Sequence, residues 1–175
     1  MTLPFFTIGH STRSIGDFTA LLAQADVEAL ADVRTIPRSR TNPQFNADVM
    51  PGEIAPIAYR RIPALGGLRG HKRGGGPSPN TFWENESFRN YADYAMTPPF
   101  HEGLEALKAL GRARICAFMC AEAVWWRCHR RIIADYLLAQ GEQVFHIMGP
   151  GRIEAAKLTP AAHKAADGNL IYSKP

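Results

Sequence analysis

The fourteen residues from Phe118 to Arg131, FMCAEAVWWRCHRR, hold two thiols, a carboxylate, an imidazole and three guanidiniums. Cys120 offers nucleophilic chemistry, because a thiolate attacks electrophiles. Glu122, two residues on, offers a general acid or base. A carboxylate that close also works against the thiolate. The plainer alternative is that Cys120 is a small buried hydrophobe. Cys128 and His129 could add ligands or second contacts. A metal reading takes Cys120, Cys128, His129 and His10 together, but a C-x₇-C-H spacing matches no structural zinc pattern. No cofactor is expected, and a bound metal ranks well below the thiol and acid–base readings. A cysteine phosphatase closes its loop with an arginine six positions after the cysteine. Here that place is Trp126, Arg127 comes one later, and the AEAVWW between has no glycine. Neither a P-loop nor G-x-G-x-x-G is present.

Those groups matter only if secondary structure gathers them. PFFTIG is a short apolar run that predicts a buried strand. SIGDFTALLAQA predicts a helix with Ser14 as N-cap, Asp17 three residues on, and Ile15, Phe18, Leu21 and Leu22 as its apolar stripe. VEALADVR reads as a second strand ending near Asp32 to Arg34. TIPRSRTNPQFN is broken by Pro37 and Pro43, so a loop or short helix is expected. IAYRRIPALGG reads as a third strand running into a glycine turn. LRGHKRGGGPSPN reads as a mobile surface loop. ENESFRNYADYAM and PFHEGLEALKALGR predict helices separated at Thr97-Pro98-Pro99.

RICAFM gives the strongest strand signal. EAVWWRCHRRIIADYLLAQG then reads as one helix ending at Gly141. In that helix Trp125, Cys128, His129, Ile132 and Tyr136 share the core face, while Arg127, Arg131 and Asp135 fall on the wetter side. Cys128 lies about 9 Å up the helix from the site on this reading, and so serves packing. QVFHIMG predicts a last core strand, Thr159-Pro160 a short helix start, and LIY an edge strand. The pattern implies a single α/β domain spanning the chain, a mainly parallel sheet flanked by helices on both faces in Rossmann-like layers.

In such a sheet the carboxyl ends of the parallel strands share one edge, where ligands bind. The residues that follow each strand are Gly9-His10-Ser11-Thr12-Arg13, Asp32-Val33-Arg34 leading to Arg38, Cys120-Ala121-Glu122, and Gly149-Pro150-Gly151-Arg152. Acid, base, thiol and arginine therefore converge on one mouth. Cys120 would sit between a strand end and a helix N-terminus, whose dipole favours its thiolate.

The bulk properties set limits. A chain of 175 residues, 46% hydrophobic and 21% charged, fits one soluble domain. No apolar run reaches the roughly 20 residues of a membrane helix, and MTLPFFTIGH lacks the marks of a signal peptide. Three cysteines within thirteen positions argue for a reducing cytoplasm over a secreted disulfide framework. The net charge of +4 is mild, but Arg34 to Arg73 is locally basic, with Arg38, Arg40, Arg60, Arg61, Arg69 and Lys72 inside it. Such a stretch attracts phosphates.

IGHSTRS, ADVRTIPRSR and CAEAVWWRCHRRIIADYL, in that order, resemble the family called domain of unknown function 488. QVFHIMGPGRIEAAKLTP and LIYSKP extend the similarity over essentially the whole chain. Relatives often carry a histidine just before the L-T-P segment, where this chain has Ala155, Ala156 and Lys157. The resemblance implies a compact α/β fold in a bacterial-type cytoplasmic protein. It marks His10, Ser11, Asp32, Arg34, Cys120, Glu122, Cys128, His129 and Arg130, and it implies no particular activity.

Two expectations follow. The first is an enzyme acting on an anionic small molecule or nucleic acid, a phosphate-bearing substrate. Glu122, Cys120, His10 and Asp32 would do the chemistry, and Ser11, Arg13, Arg34, Arg38, His129 and Arg130 would hold the substrate. The alternative is a non-catalytic module for nucleic acid or protein, gripping a polyanion through Arg60 to Arg73 and stacking bases on Tyr59, Phe82 or Trp83. A third arrangement has the motif residues brace the fold through Arg34–Glu122 or Asp32–His129 contacts. The sequence leaves the oligomeric state open.

Overall fold

A computed structural model describes residues 2–70 and 76–174. The chain runs β1 (Phe5–Gly9), α1 (Ile15–Gln24), β2 (Ala29–Asp32), α2 (Met50–Ile54), β3 (Ala58–Arg61), α3 (Glu86–Tyr94), α4 (Pro98–Ala113) and β4 (Cys116–Cys120). It continues with α5 (Arg130–Ala139), β5 (Val144–Gly149), β6 (Arg152–Ala155), β7 (Ala162–Lys164) and β8 (Leu170–Tyr172). The central sheet has the order β3-β2-β4-β1-β5-β6. Its first five strands are parallel, and β6 returns antiparallel to β5. This is the α/β fold the alternation of strands and helices predicts.

Side chains alternate across each strand, so β1 sends Phe6 and Ile8 to one face and Phe5 to the other. On the first face α1 and α2 bury Phe18, Leu21, Leu22, Met50 and Ile54 against Phe6, Ile8, Leu30 and Met119. On the second, α3, α4 and α5 bury Tyr91, Phe100, Leu104, Ile132 and Tyr136 against Phe5, Ala31 and Phe118. Ser14 caps α1 as its sequence predicts, its side chain accepting the Asp17 N–H. The break before α4 is also where expected: Thr97 stands at the N-cap and Pro98 opens the helix.

Three expectations fail. The long helix from Glu122 does not form. Trp125–Arg127 is a 3₁₀ turn, Cys128 is extended, and α5 starts at Arg130. The Trp125 ring lies flat on His146, with centroids 4.6 Å apart, and that stack holds the turn against the sheet instead of on a helix face. Asp135, expected on the wet side, is buried, with a carboxylate that accepts the Thr159 N–H and the Tyr172 hydroxyl, each at 2.9 Å. Thr159-Pro160 opens no helix. It enters a turn before the two-stranded sheet of β7 and β8, and LIY belongs there, not to the edge of the main sheet.

Asp135 is thus the anchor of the C-terminal segment. Tyr172→Phe leaves its buried carboxylate one donor short, at a cost of about 1–3 kcal/mol. We expect a lower urea midpoint with an unchanged slope; an unchanged midpoint would show that Asp135 does not hold the tail.

Candidate functional site

β1 and β4 are neighbours, yet α1 leaves β1 over one face while α5 follows β4 over the other. Strands whose continuations part in this way open a crevice at their carboxyl ends. Pairing persists past the strands: His10 donates its N–H to the Cys120 carbonyl and Ser11 to that of Ala121, each at 3.0 Å. Gly9 is pressed so tightly beneath the next turn that a Cβ there would overlap the Glu122 carbonyl oxygen. Glycine is required at that position by close approach.

The crevice has two lobes. One, of about 320 Å³, is lined by Ile36, Leu68, Phe88, Tyr91, Cys120, Cys128, His129 and Arg127 among others. The second, of about 310 Å³, is more polar and holds His10, Ser11, Thr12, Arg38, Ser39 and Asn42. Arg34, Ile36, Ala121 and Glu122 line both. The convergence read from the strand ends is therefore present: His10, Arg34 and Glu122 open onto one mouth.

Arg130 lies beneath this mouth, 1% exposed. Its Nε donates to Cys120 Sγ at 3.1 Å, its Nη1 to Thr7 Oγ1 at 3.0 Å and its Nη2 to the Glu122 carbonyl at 2.9 Å. No carboxylate is within salt-bridge reach among the described residues; Glu122 attracts the guanidinium only from a distance. Burial pulls its pKa down to about 9, which leaves it charged at neutral pH. Thr7 Oγ1, accepting from Arg130, hydrogen-bonds His146 Nδ1 at 2.7 Å. Burial, with Arg130 nearby, lowers His146 to about 3, which keeps its imidazole neutral.

Cys120 and Cys128 are joined as a disulfide, with Cα atoms 7.4 Å apart. Cys128 Sγ also accepts the Arg130 backbone N–H at 3.4 Å, so the first turn of α5 points an orphan donor at this sulfur. His129 Nε2 meets the Val33 carbonyl at 2.7 Å, and its Nδ1 lies 3.4 Å from Cys128 Sγ. A carbonyl only accepts, so Nε2 carries the proton and Nδ1 is free to take one. Burial and the neighbouring Arg130 hold this imidazole down at about 4, hence neutral. Cys116 is far less available, buried with its thiol pushed up to about 12.

The remaining predicted residues divide. Asp32 is fully buried and lines neither lobe. It accepts from Arg34 Nε at 2.9 Å and Nη2 at 2.6 Å and from the Tyr59 hydroxyl. That ion pair occupies one side of Arg34, leaving Nη1 against His10 Nε2 at 3.3 Å. His10 is lowered mainly by burial, with its Nδ1 on the Ser11 carbonyl. Arg13 is spent on the Gly9 and Met148 carbonyls. The bracing pair is therefore Arg34–Asp32, not Arg34–Glu122 or Asp32–His129.

Cys128, expected about 9 Å up a helix from Cys120, instead has its sulfur against that of Cys120, because the extended backbone there turns it back. The helix end expected beside Cys120 points at Cys128 instead. Of the aromatics named for base stacking, Trp83 is buried, while Phe82 and Tyr59 are half-buried, the Tyr59 hydroxyl on Asp32. Lys72 and Arg73, with the glycines around them, lie outside the described residues. No group of three or more His, Cys, Asp or Glu among the described residues is placed to hold a metal, and no described helix is long and apolar enough to cross a membrane.

Thr7 and His146 were not singled out by sequence, although a signal existed. Each is the polar interruption of an apolar strand, and the two are register partners on β1 and β5.

Residues 14–137 match the family model described as Domain of unknown function DUF488, and the chain belongs to that family. No curated protein and no solved structure matches it.

The two most strongly lowered imidazoles, His129 and His146, give a pH signature. Unfolded, each titrates near 6.5; folded, His129 protonates only at about 4 and His146 at about 3. Between these values the unfolded chain binds the extra protons, so stability falls as pH falls, by up to about 1.4 kcal/mol per pH unit for each. His146→Gln, which can still accept from Thr7, should remove about one proton's worth of that slope between about pH 6 and 4. Denaturant unfolding across that range measures it; an unchanged slope would contradict a neutral buried His146.

Proposed function

We propose that this member of the DUF488 family is a thiol-dependent enzyme. Cys120 is its nucleophile, held as a thiolate by Arg130, and its substrate is a small electrophile carrying an anionic group such as phosphate or carboxylate. One observation carries the reading: Arg130 is buried without a carboxylate partner. An uncompensated buried charge costs several kcal/mol. Of the groups its side chain touches, the Thr7 hydroxyl and the Glu122 carbonyl stay neutral, and only the Cys120 sulfur can become an anion. As a thiol, Cys120 directs its proton to the Glu122 carbonyl at 3.7 Å; as a thiolate it leaves that carbonyl to Arg130. A neighbouring guanidinium is among the environments that favour the reactive form.

The other groups take roles by position. The guanidiniums of Arg38 and Arg127, one in each lobe, make no hydrogen bond or ion pair among the described residues, and are left to hold an anion. Glu122 lines both lobes with its side chain exposed, where a proton for a leaving group can be exchanged with water. His10 is a positioning residue that holds Arg34 Nη1 at the mouth, and Ser11 contributes to the polar wall. Asp32 acts only through Arg34.

In the reduced protein, iodoacetamide should alkylate Cys120 at neutral pH well ahead of Cys116, the site being located by fragmentation mass spectrometry. Arg130→Met should slow that reaction by about tenfold or more, and Arg130→Lys should retain part of the rate. Pyrophosphate should protect Cys120 in the wild type and less so in Arg38→Ala. A wild-type Cys120 no faster than an ordinary thiol would refute the reading.

A further inference from the structure

We infer that Cys128 is a second nucleophile that displaces the substrate fragment from Cys120, which makes the protein a thiol–disulfide oxidoreductase for small anionic organic disulfides. The inference rests on the reading of Cys120 given above and adds the reaction class.

Three observations carry it. The Cys120 and Cys128 sulfurs touch in the same lobe, so any fragment joined to Cys120 Sγ lies within reach of Cys128. His129 presents an unprotonated Nδ1 to Cys128 Sγ, its tautomer fixed by the Val33 carbonyl. Gly67 packs against that ring so closely that a Cβ would overlap Nδ1, which keeps the imidazole from swinging off the sulfur. The two cysteines are thus served by different groups: a fixed cation for Cys120, and a hydrogen-bond acceptor for Cys128.

A second sulfur helps only when the first carries a group bound through sulfur or oxygen. A phosphoryl or acyl adduct is resolved by water and has no use for it. Between peroxides and organic disulfides, the cleft favours the latter, because Cys120 lines a lobe of about 320 Å³ that shares Arg34, Ile36, Ala121 and Glu122 with a second lobe of about 310 Å³, and each lobe contains a free guanidinium. A peroxide needs no such walls.

The steps balance. The Cys120 thiolate attacks one sulfur of R–S–S–R′, forming the Cys120–S–S–R bond and releasing R′S⁻, which takes a proton from water. Cys128 then attacks Cys120 Sγ. The Cys128 S–H, hydrogen-bonded to His129 Nδ1, passes its proton to the departing RS⁻ as the S–R bond breaks. The protein has lost two electrons to the substrate, and a small-molecule thiol reductant restores both thiols.

The test uses the full chain with Cys116→Ser and dithiobis-nitrobenzoate, an aromatic disulfide with a carboxylate at each end. The reduced protein should release two thionitrobenzoate anions per chain, retain no adduct, and yield a tryptic pair joining the Cys120 and Cys128 peptides. Cys128→Ser should release one and keep a stable adduct on Cys120. His129→Gln, whose amide can still donate to Val33 but is a weaker acceptor for the Cys128 proton, should lower the ratio of second to first release rate by about tenfold. A wild type that retains its adduct, or a ratio unaffected by His129→Gln, overturns the inference while leaving Cys120 as the nucleophile. Failure to label Cys120 in any variant overturns both.

Discussion

A guanidinium buried beneath the sheet edge, with no carboxylate beside it, constrains everything around it. Arg130 directs three nitrogens to three different elements: the Cys120 sulfur at the end of β4, the Thr7 hydroxyl on β1 and the Glu122 carbonyl in the following turn. Each acceptor has to be in place, because a buried donor left unmade costs more than a made one returns. Thr7 is held in turn by a neutral His146, and His146 by the flat stack of Trp125. The chain of contacts passes from the reactive sulfur through the core and back to the 3₁₀ turn that carries the motif. The sulfur we propose as the nucleophile and a structural cation therefore share one solution.

The sheet topology makes that solution reachable. Adjacent strands whose helices depart over opposite faces leave their carboxyl ends uncovered, and the bare Gly9 lets the Glu122 turn settle onto β1. The same edge is divided chemically. Asp32 neutralises Arg34 on one side of the mouth, so of the two buried arginines at this edge it is Arg130, under Cys120, that has no carboxylate beside it among the described residues. Had both arginines been paired with acids, nothing would distinguish Cys120 from Cys116, which sits on the same strand with its thiol pushed up.

The strands, the capped first helix and the shared mouth were legible because apolar runs, Ser14 and the strand-end residues each carry a local physical signal. Two things were not. The segment Glu122 to His129 has no residue that forbids a helix, so its break is decided by tertiary contacts: the Trp125–His146 stack and the inward turn of Arg130. Thr159-Pro160 suits a helix start and a turn equally, and the choice falls to Asp135 through its bond to the Thr159 N–H. At the site, sequence singled out the Glu122 carboxylate, whereas the fold uses the Glu122 carbonyl. Residue type cannot reveal which part of a residue will be used, nor which of Arg127, Arg130 and Arg131 turns inward.

The account is tested most directly by the protonation state of one sulfur. Far-ultraviolet thiolate absorbance should be followed against pH in the reduced chain carrying Cys116→Ser and Cys128→Ser, with and without Arg130→Met. With Arg130 present, the absorbance should already be there below neutral pH; without it, it should appear only near the ordinary thiol value of about 8.5. Equal titration midpoints in the two proteins would mean that the guanidinium does not hold Cys120 as a thiolate.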